Sequence, residues 1–176
     1  MSIQEELFAR HVRKSVLLDS NLLLVLLTGS SDPTLFARFK RVSGFTVDDY
    51  DLLIRFLGFF TTILTTPHVL TEVSNLANSL PEWCKIDWFR NFAVLIASEK
   101  RTPGLRECWL PARDLARTPE FAAFGMTDAA LCQLSSEALV LTEDYRLSGM
   151  LRHKGKDVLN FAELRLLSQL FGLRIR

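Results

Sequence analysis

SVLLDSNLLLVLL, residues 15–27, decides the fold. The run from Ser15 to Asp19 is short and apolar, the pattern of a strand buried on both faces. From Asn21 to Leu27 the chain then reads as a helix, with Gly29 expected to close it. That apolar run is too short to span a bilayer, and a charge, Asp19, stands just before it.

The alternation of strand and helix recurs along the chain. FFTTILT (59–65) is β-branched and aromatic, hence a strand. Thr66-Pro67 is a cap with proline at the first helical position, and HVLTEVSNLANSL follows as a helix. ECWL (107–110), ALVLT (138–142) and residues 156–159 read as the remaining strands. Among the helices, Ser2-Ile3-Gln4-Glu5 is a capping box opening a short helix to about Arg13. Asp32-Pro33 opens LFARFKRV, and Thr46 opens VDDYDLLIRFL, which ends at Gly58. A helix over 82–100 carries Trp88, Phe92, Leu95 and Ile96 on one face. Residues 111–124 are helical with an irregularity at Pro119, and Gly125-Met126-Thr127-Asp128 opens DAALCQLSSE. A further helix begins near Tyr145, and Asn160 with Glu163 caps the last one. Apolar strands separated by helices predict a three-layer α/β/α fold on a mainly parallel sheet of four or five strands, with SVLLD central.

Length and composition agree with one domain over residues 1–176, led by a helical extension of about residues 1–14: the chain has 176 residues, 48% of them hydrophobic. Lys+Arg 21 against Asp+Glu 20 argues against a generally basic nucleic-acid coat. Cys84, Cys108 and Cys132 are odd in number and form no CxxC pair, so free thiols are expected, not a disulfide framework or a thiolate zinc site. With a charged N-terminus and no secretory core, a soluble cytoplasmic protein is expected.

In sheets of this kind chemistry gathers at the carboxyl ends of the strands. Asp19 closes the first strand, and Glu143 and Asp144 close ALVLT. Glu72 lies early in the helix after FFTTILT, flanked by Val69, Leu70, Val73 and Leu76, and Asp128 starts the helix leading into ALVLT. Acids gathered at one edge repel each other unless a cation lies between them or their pKa values rise. Hard oxygen donors favour Mg²⁺ or Mn²⁺. The carboxylates of Asp19, Glu72, Asp128 and Asp144 are expected within roughly 10 Å of one another, close enough to share ions about 4 Å apart. Glu143 is expected at the surface, since adjacent strand residues face opposite ways. His68, four residues before Glu72, reads as a surface histidine, and Asp48, Asp49 and Asp51 as a solvated helix start. The Thr142 hydroxyl is placed to orient Asp19 or Asp144 or to serve as an ordinary strand residue. Ser20 and Asn21 either hydrogen-bond metal-held waters or cap the following helix. From Tyr145 onward the chain is strongly basic, and Arg146, Arg152 and Lys154 follow directly on Asp144, placed either to hold a phosphate backbone beside the metal or to form a solvated charged face.

These residues resemble a family. VLLDSN (16–21) is similar to the opening strand of a PIN domain, and TPHVLTEVSN (66–75) to its second acidic motif. FGMTDAAL (124–131) and LVLTEDYRL (139–147) resemble the third and fourth, and DVLNFAEL the closing strand and helix, all in family order. The segments before Glu72 and before Asp128 are longer than in compact members. The resemblance implies a metal-dependent ribonuclease with Mg²⁺ or Mn²⁺ held by Asp19, Glu72, Asp128 and Asp144, an RNA substrate, and products bearing a 5′-phosphate. Many family members are toxins of toxin–antitoxin pairs, so an antitoxin or other protein partner is also implied. A homodimer or partner-bound state is expected through Leu22 to Leu27 and the face from Trp88 to Ile96. A PIN-like module that has lost catalysis and serves binding or assembly is the alternative. Asp19-Ser20-Asn21 lacks the second aspartate of a D-x-D phosphatase motif, and neither GxxxxGK[ST] nor GxGxxG occurs.

Overall fold

The computed structural model describes residues 3–98 and 103–170. The expected cap at Ser2, the end of the helix toward Lys100, and the terminal Arg174 and Arg176 lie outside them. In chain order the elements are α1 (Ile3–His11), β1 (Ser15–Leu18), α2 (Ser20–Ser31), α3 (Val47–Leu57), β2 (Thr62–Thr65), α4 (Pro67–Ala77), α5 (Glu82–Ala97) and β3 (Gly104–Glu107). Then come α6 (Ala112–Leu115), α7 (Pro119–Phe124), α8 (Met126–Leu134), β4 (Leu139–Thr142), α9 (Tyr145–His153), β5 (Val158–Asn160) and α10 (Phe161–Leu170). The five strands form one all-parallel sheet in the order β3-β2-β1-β4-β5, the middle layer of a three-layer α/β/α fold. The strand of SVLLD is central. The chain moves outward from β1 to β3, then returns to lay β4 on the other side of β1. The switch point of the sheet therefore lies between the carboxyl ends of β1 and β4, where a crevice forms.

Val16, Leu17 and Leu18 are 0 to 1% exposed, and β4 is buried along its whole length. α2 is apolar on all sides because it is internal: Leu22 to Leu27 are all buried, and α3, α4 and α5 pack around it. These leucines thus belong to the core and are not the oligomer surface expected of them. Trp88, Phe92 and Leu95 likewise point inward from α5, whereas Ile96 is 44% exposed and does not share their face. α1 is part of the body, since Leu7 is buried and Phe8 packs on Phe56, Phe59 and Phe60.

Several boundaries differ from those expected. α2 runs through Gly29 to Ser31, with Asp32 as its C-cap. Gly29 serves a close approach instead: a Cβ there would lie 2.2 Å from the Tyr50 ring. LFARFKRV forms two short 3-10 turns, Pro33–Ala37 and Lys40–Val42, not an α-helix. Phe59 and Phe60 precede β2, packing as side chains without joining its ladder. β3 ends at Glu107, where the expected strand was to begin. Its register is set by backbone bonds to β2, with the Gly104 N–H donating to Thr61 and the Cys108 N–H to Thr65, and Trp109 is left 77% exposed. β5 lies one to two residues later than expected. Among the described residues no helix is long and apolar enough to cross a membrane.

Candidate functional site

Asp19 leaves β1 at the switch point and caps α2. Its Oδ1 accepts from the Leu22 N–H at 2.7 Å. Its Oδ2 accepts from the Thr142 hydroxyl at 2.5 Å and from the Glu143 N–H at 3.1 Å. The carboxylate thus ties β1 to the end of β4 and is 5% exposed. Burial raises its pKa to about 6, against the lowering effect of the three hydrogen bonds. Thr142 is fully buried, and its Oγ1 also accepts from the Asp144 N–H at 3.0 Å. One hydroxyl therefore positions Asp19 through its side chain and Asp144 through its backbone.

Asp144 caps α9: its Oδ1 accepts from the N–H groups of Arg146 at 2.6 Å and Leu147 at 3.1 Å. Its Oδ2 has no hydrogen-bond partner among the described residues. Asp128 sits in the first turn of α8, after Gly125, whose φ of +92° lets α7 end and α8 begin on one residue. Burial raises the Asp128 pKa to about 6, followed by the charges of Asp144, Glu72 and Asp19, with Arg146 opposing them. Three of the four acids expected to meet therefore act electrostatically on the carboxyl group of the fourth. Glu72 stands on the second turn of α4, half-buried. It lines a cleft of about 350 Å³ with Thr127, the neighbour of Asp128, across the contact between α4 and α8.

Around these acids lie polar atoms without partners. Ser20 Oγ, next to Asp19, and Thr65 Oγ1, last in β2, are buried and make no hydrogen bond among the described residues. Asn21 is exposed on the first turn of α2. Unpaired carboxylate and hydroxyl oxygens are the donor chemistry that suits Mg²⁺ or Mn²⁺. Among the described residues, no group of three or more His, Cys, Asp or Glu side chains is drawn together to hold a metal ion.

The basic residues divide. Arg146 lies near Asp128, with its guanidinium 5.3 Å from the centre of the Phe124 ring. Arg152 and Lys154 are not free beside the acids as expected: Arg152 pairs with Glu163 at 2.5 Å, and Lys154 with the buried Glu120. Glu143 and Asp49 are not solvated either. Both are half-buried and bind one arginine, Arg165, whose Nη1 donates to Glu143 and whose Nε donates to Asp49 at 2.6 Å. Arg165 also lies 5.2 and 4.8 Å from the rings of Phe45 and Phe161. It anchors the loop carrying Asp144 to α3 and α10. The signal for it in the sequence is an arginine set between leucines, LRLL, which a partly buried helix tolerates only with partners. His68 is half-buried with an unpartnered Nδ1, so it is less of a surface residue than expected. No protein-family model and no curated protein matches the chain.

Proposed function

We propose that the chain is a PIN-type, metal-dependent ribonuclease that hydrolyses RNA phosphodiester bonds at the acidic crevice between β1 and β4. One observation carries this reading. The ionisation of Asp128 is opposed by its burial and then by the charges of Asp144, Glu72 and Asp19, so that carboxyl groups from four separate segments, Asp128 included, feel one another. Without a cation such a gathering is unfavourable, which makes cation binding its natural use. Asp19, Glu72, Asp128 and Asp144 would hold Mg²⁺ or Mn²⁺. When bound, such an ion lowers the pKa of a water and neutralises charge on phosphate oxygens. The residues of the chain supply the rest. Thr142 holds Asp19 and Asp144 in fixed relation through one hydroxyl. Arg165 fixes the loop between them through Glu143. Arg146, beside the acids, is the cation for the substrate phosphate. In the metal-free chain burial raises the pKa of Asp19 and Asp128 to about 6, so protons compete with a cation for both at mildly acidic pH.

The test is incubation with labelled single-stranded RNA, structured RNA and DNA in Mg²⁺, Mn²⁺ or EDTA, beside Asp19→Asn. RNA cleavage that needs the metal and is lost in the variant is expected. Cleavage in EDTA, or at the parental rate by the variant, overturns the reading. The second reading, a binding or assembly module without catalysis, draws on the outer face of α5. There Trp83, Ile86 and Val94 are 60, 67 and 58% exposed. Such a module leaves RNA intact with every metal, and Mg²⁺ does not raise its melting temperature.

A further inference from the structure

We infer that the cleft between α4 and α8 is a nucleoside subsite, which takes one unpaired base and its ribose beside the phosphate to be cut; the inference rests on the ribonuclease reading above. The cleft is open to solvent and measures about 350 Å³. Ligand sites commonly span roughly 300–1,000 Å³, so this one is of a size for a single nucleoside. Its lining has two characters. Pro67 and Met126 give apolar walls, and the methionine thioether is a soft, polarisable surface for a flat ring. Thr71, Asn75 and Thr127 give polar groups. The Asn75 amide presents a donor and an acceptor side by side, as the edge of a base requires, and makes no hydrogen bond among the described residues. His68, also in the lining, carries a buried Nδ1 with no partner. Recognition of unpaired strands combines these elements: a stacking surface for the ring and hydrogen-bonding groups for its edge and sugar.

Position ties the cleft to the chemistry. Glu72 forms part of its wall, and Thr127, also in the lining, is the chain neighbour of Asp128, so whatever fills the cleft touches one of the four acids, Glu72. Apart from Glu72 the lining carries no carboxylate and no Lys or Arg, so it suits an uncharged base and sugar more than a phosphate. Arg146, the cation that acts on Asp128, belongs to α9 and not to the cleft. A nucleotide therefore fits with its base and ribose between α4 and α8 and its phosphate toward α9.

The experiment uses the full chain in EDTA, so that binding owes nothing to a metal. Adenosine, guanosine, cytidine and uridine are titrated while backbone amide resonances are followed by NMR. At least one nucleoside should shift the amides of Thr71, Asn75, Met126 and Thr127. Asn75→Ala should weaken it roughly tenfold, the worth of a hydrogen bond or two, and Met126→Ala should also weaken it. Both variants are checked for the parental spectrum elsewhere. Shifts that map away from the cleft, no shifts with any of the four, or variants that bind as the parent does overturn the subsite. Cleavage of RNA by the same preparation is measured alongside in Mg²⁺. Cleavage without binding in the cleft removes the subsite and leaves the ribonuclease; binding without cleavage does the reverse.

Discussion

Replacing Asp19 by asparagine exchanges two opposed effects whose sizes follow from its surroundings. In the folded chain the Asp19 pKa is about 6, against an ordinary value of 3.8. The difference is roughly 3 kcal/mol, the net amount by which burial, after the three hydrogen bonds have offset part of it, disfavours the charged form. Because the folded state holds the proton more tightly than the unfolded state, stability falls as pH rises from about 4 through about 6, and the full loss applies above that. Asparagine carries no charge and removes it. The cost lies in the hydrogen bonds. With Oδ1 still accepting from Leu22, the new amide nitrogen faces the Glu143 N–H, donor against donor. A lost buried bond of this kind costs about 1–3 kcal/mol. In EDTA the variant should thus be less stable than the parent near about pH 4, and equal or up to about 2 kcal/mol more stable at about pH 8. Urea melts followed by circular dichroism across that range measure the crossing. Repeating them in Mg²⁺ should raise the parental midpoint and leave the variant unmoved. Parallel pH curves for the two proteins would refute the argument from burial, and an equal response to Mg²⁺ would remove Asp19 from the metal site.

Other perturbations test neighbouring parts of the structure. Thr142→Val keeps the shape but removes the donor to Asp19 and the acceptor for the Asp144 N–H. It should cost about 2–3 kcal/mol in chemical denaturation and raise the Asp19 pKa further, read by carboxyl-carbon NMR. Asp128→Asn should stabilise the metal-free chain above about pH 6, because it removes a partly buried charge and relieves its repulsion from Asp144, Glu72 and Asp19. The gain in melting temperature should shrink in high salt. Arg165→Lys leaves one ammonium to serve both Asp49 and Glu143 and loses the flat contact with Phe45 and Phe161. A loss of about 2 kcal/mol is expected in urea melts. Gly29→Ala should destabilise by about 1–2 kcal/mol despite the better helix former, since the Tyr50 ring must move. A stabilised variant would show that the ring yields freely.

The exchange of charge partners explains much of what could not be read beforehand. Arg152, Lys154 and Arg165 sit in a basic tail that reads as a surface for phosphate. Glu163, Glu120, Asp49 and Glu143 neutralise them instead. Partners as far apart as Asp49 and Arg165 share no local pattern, and only chain packing brings them together. The α5 helix makes the same point with apolar residues. Trp88 and Trp83 are alike in type, but one is 1% and the other 60% exposed. Which side of the helix meets α2 is a matter of packing, and periodicity alone did not place Ile96.

By itself the sequence determined the alternation of strands and capped helices, and with it a parallel sheet having SVLLD near its middle. It also determined where the acids stand along that sheet. A residue that follows a buried strand must emerge at its carboxyl end, so Asp19 and Asp144 had no other place to go. Tertiary structure alone decided the strand order, the crevice between β1 and β4, and the use of one Thr142 hydroxyl to join two acids 125 positions apart. It decided as well that α4 and α8 leave a cleft against Glu72 and Thr127. Strand pairing and helix contact are long-range events governed by the burial of whole faces. Local residue patterns fix which face is apolar, but not which neighbour covers it.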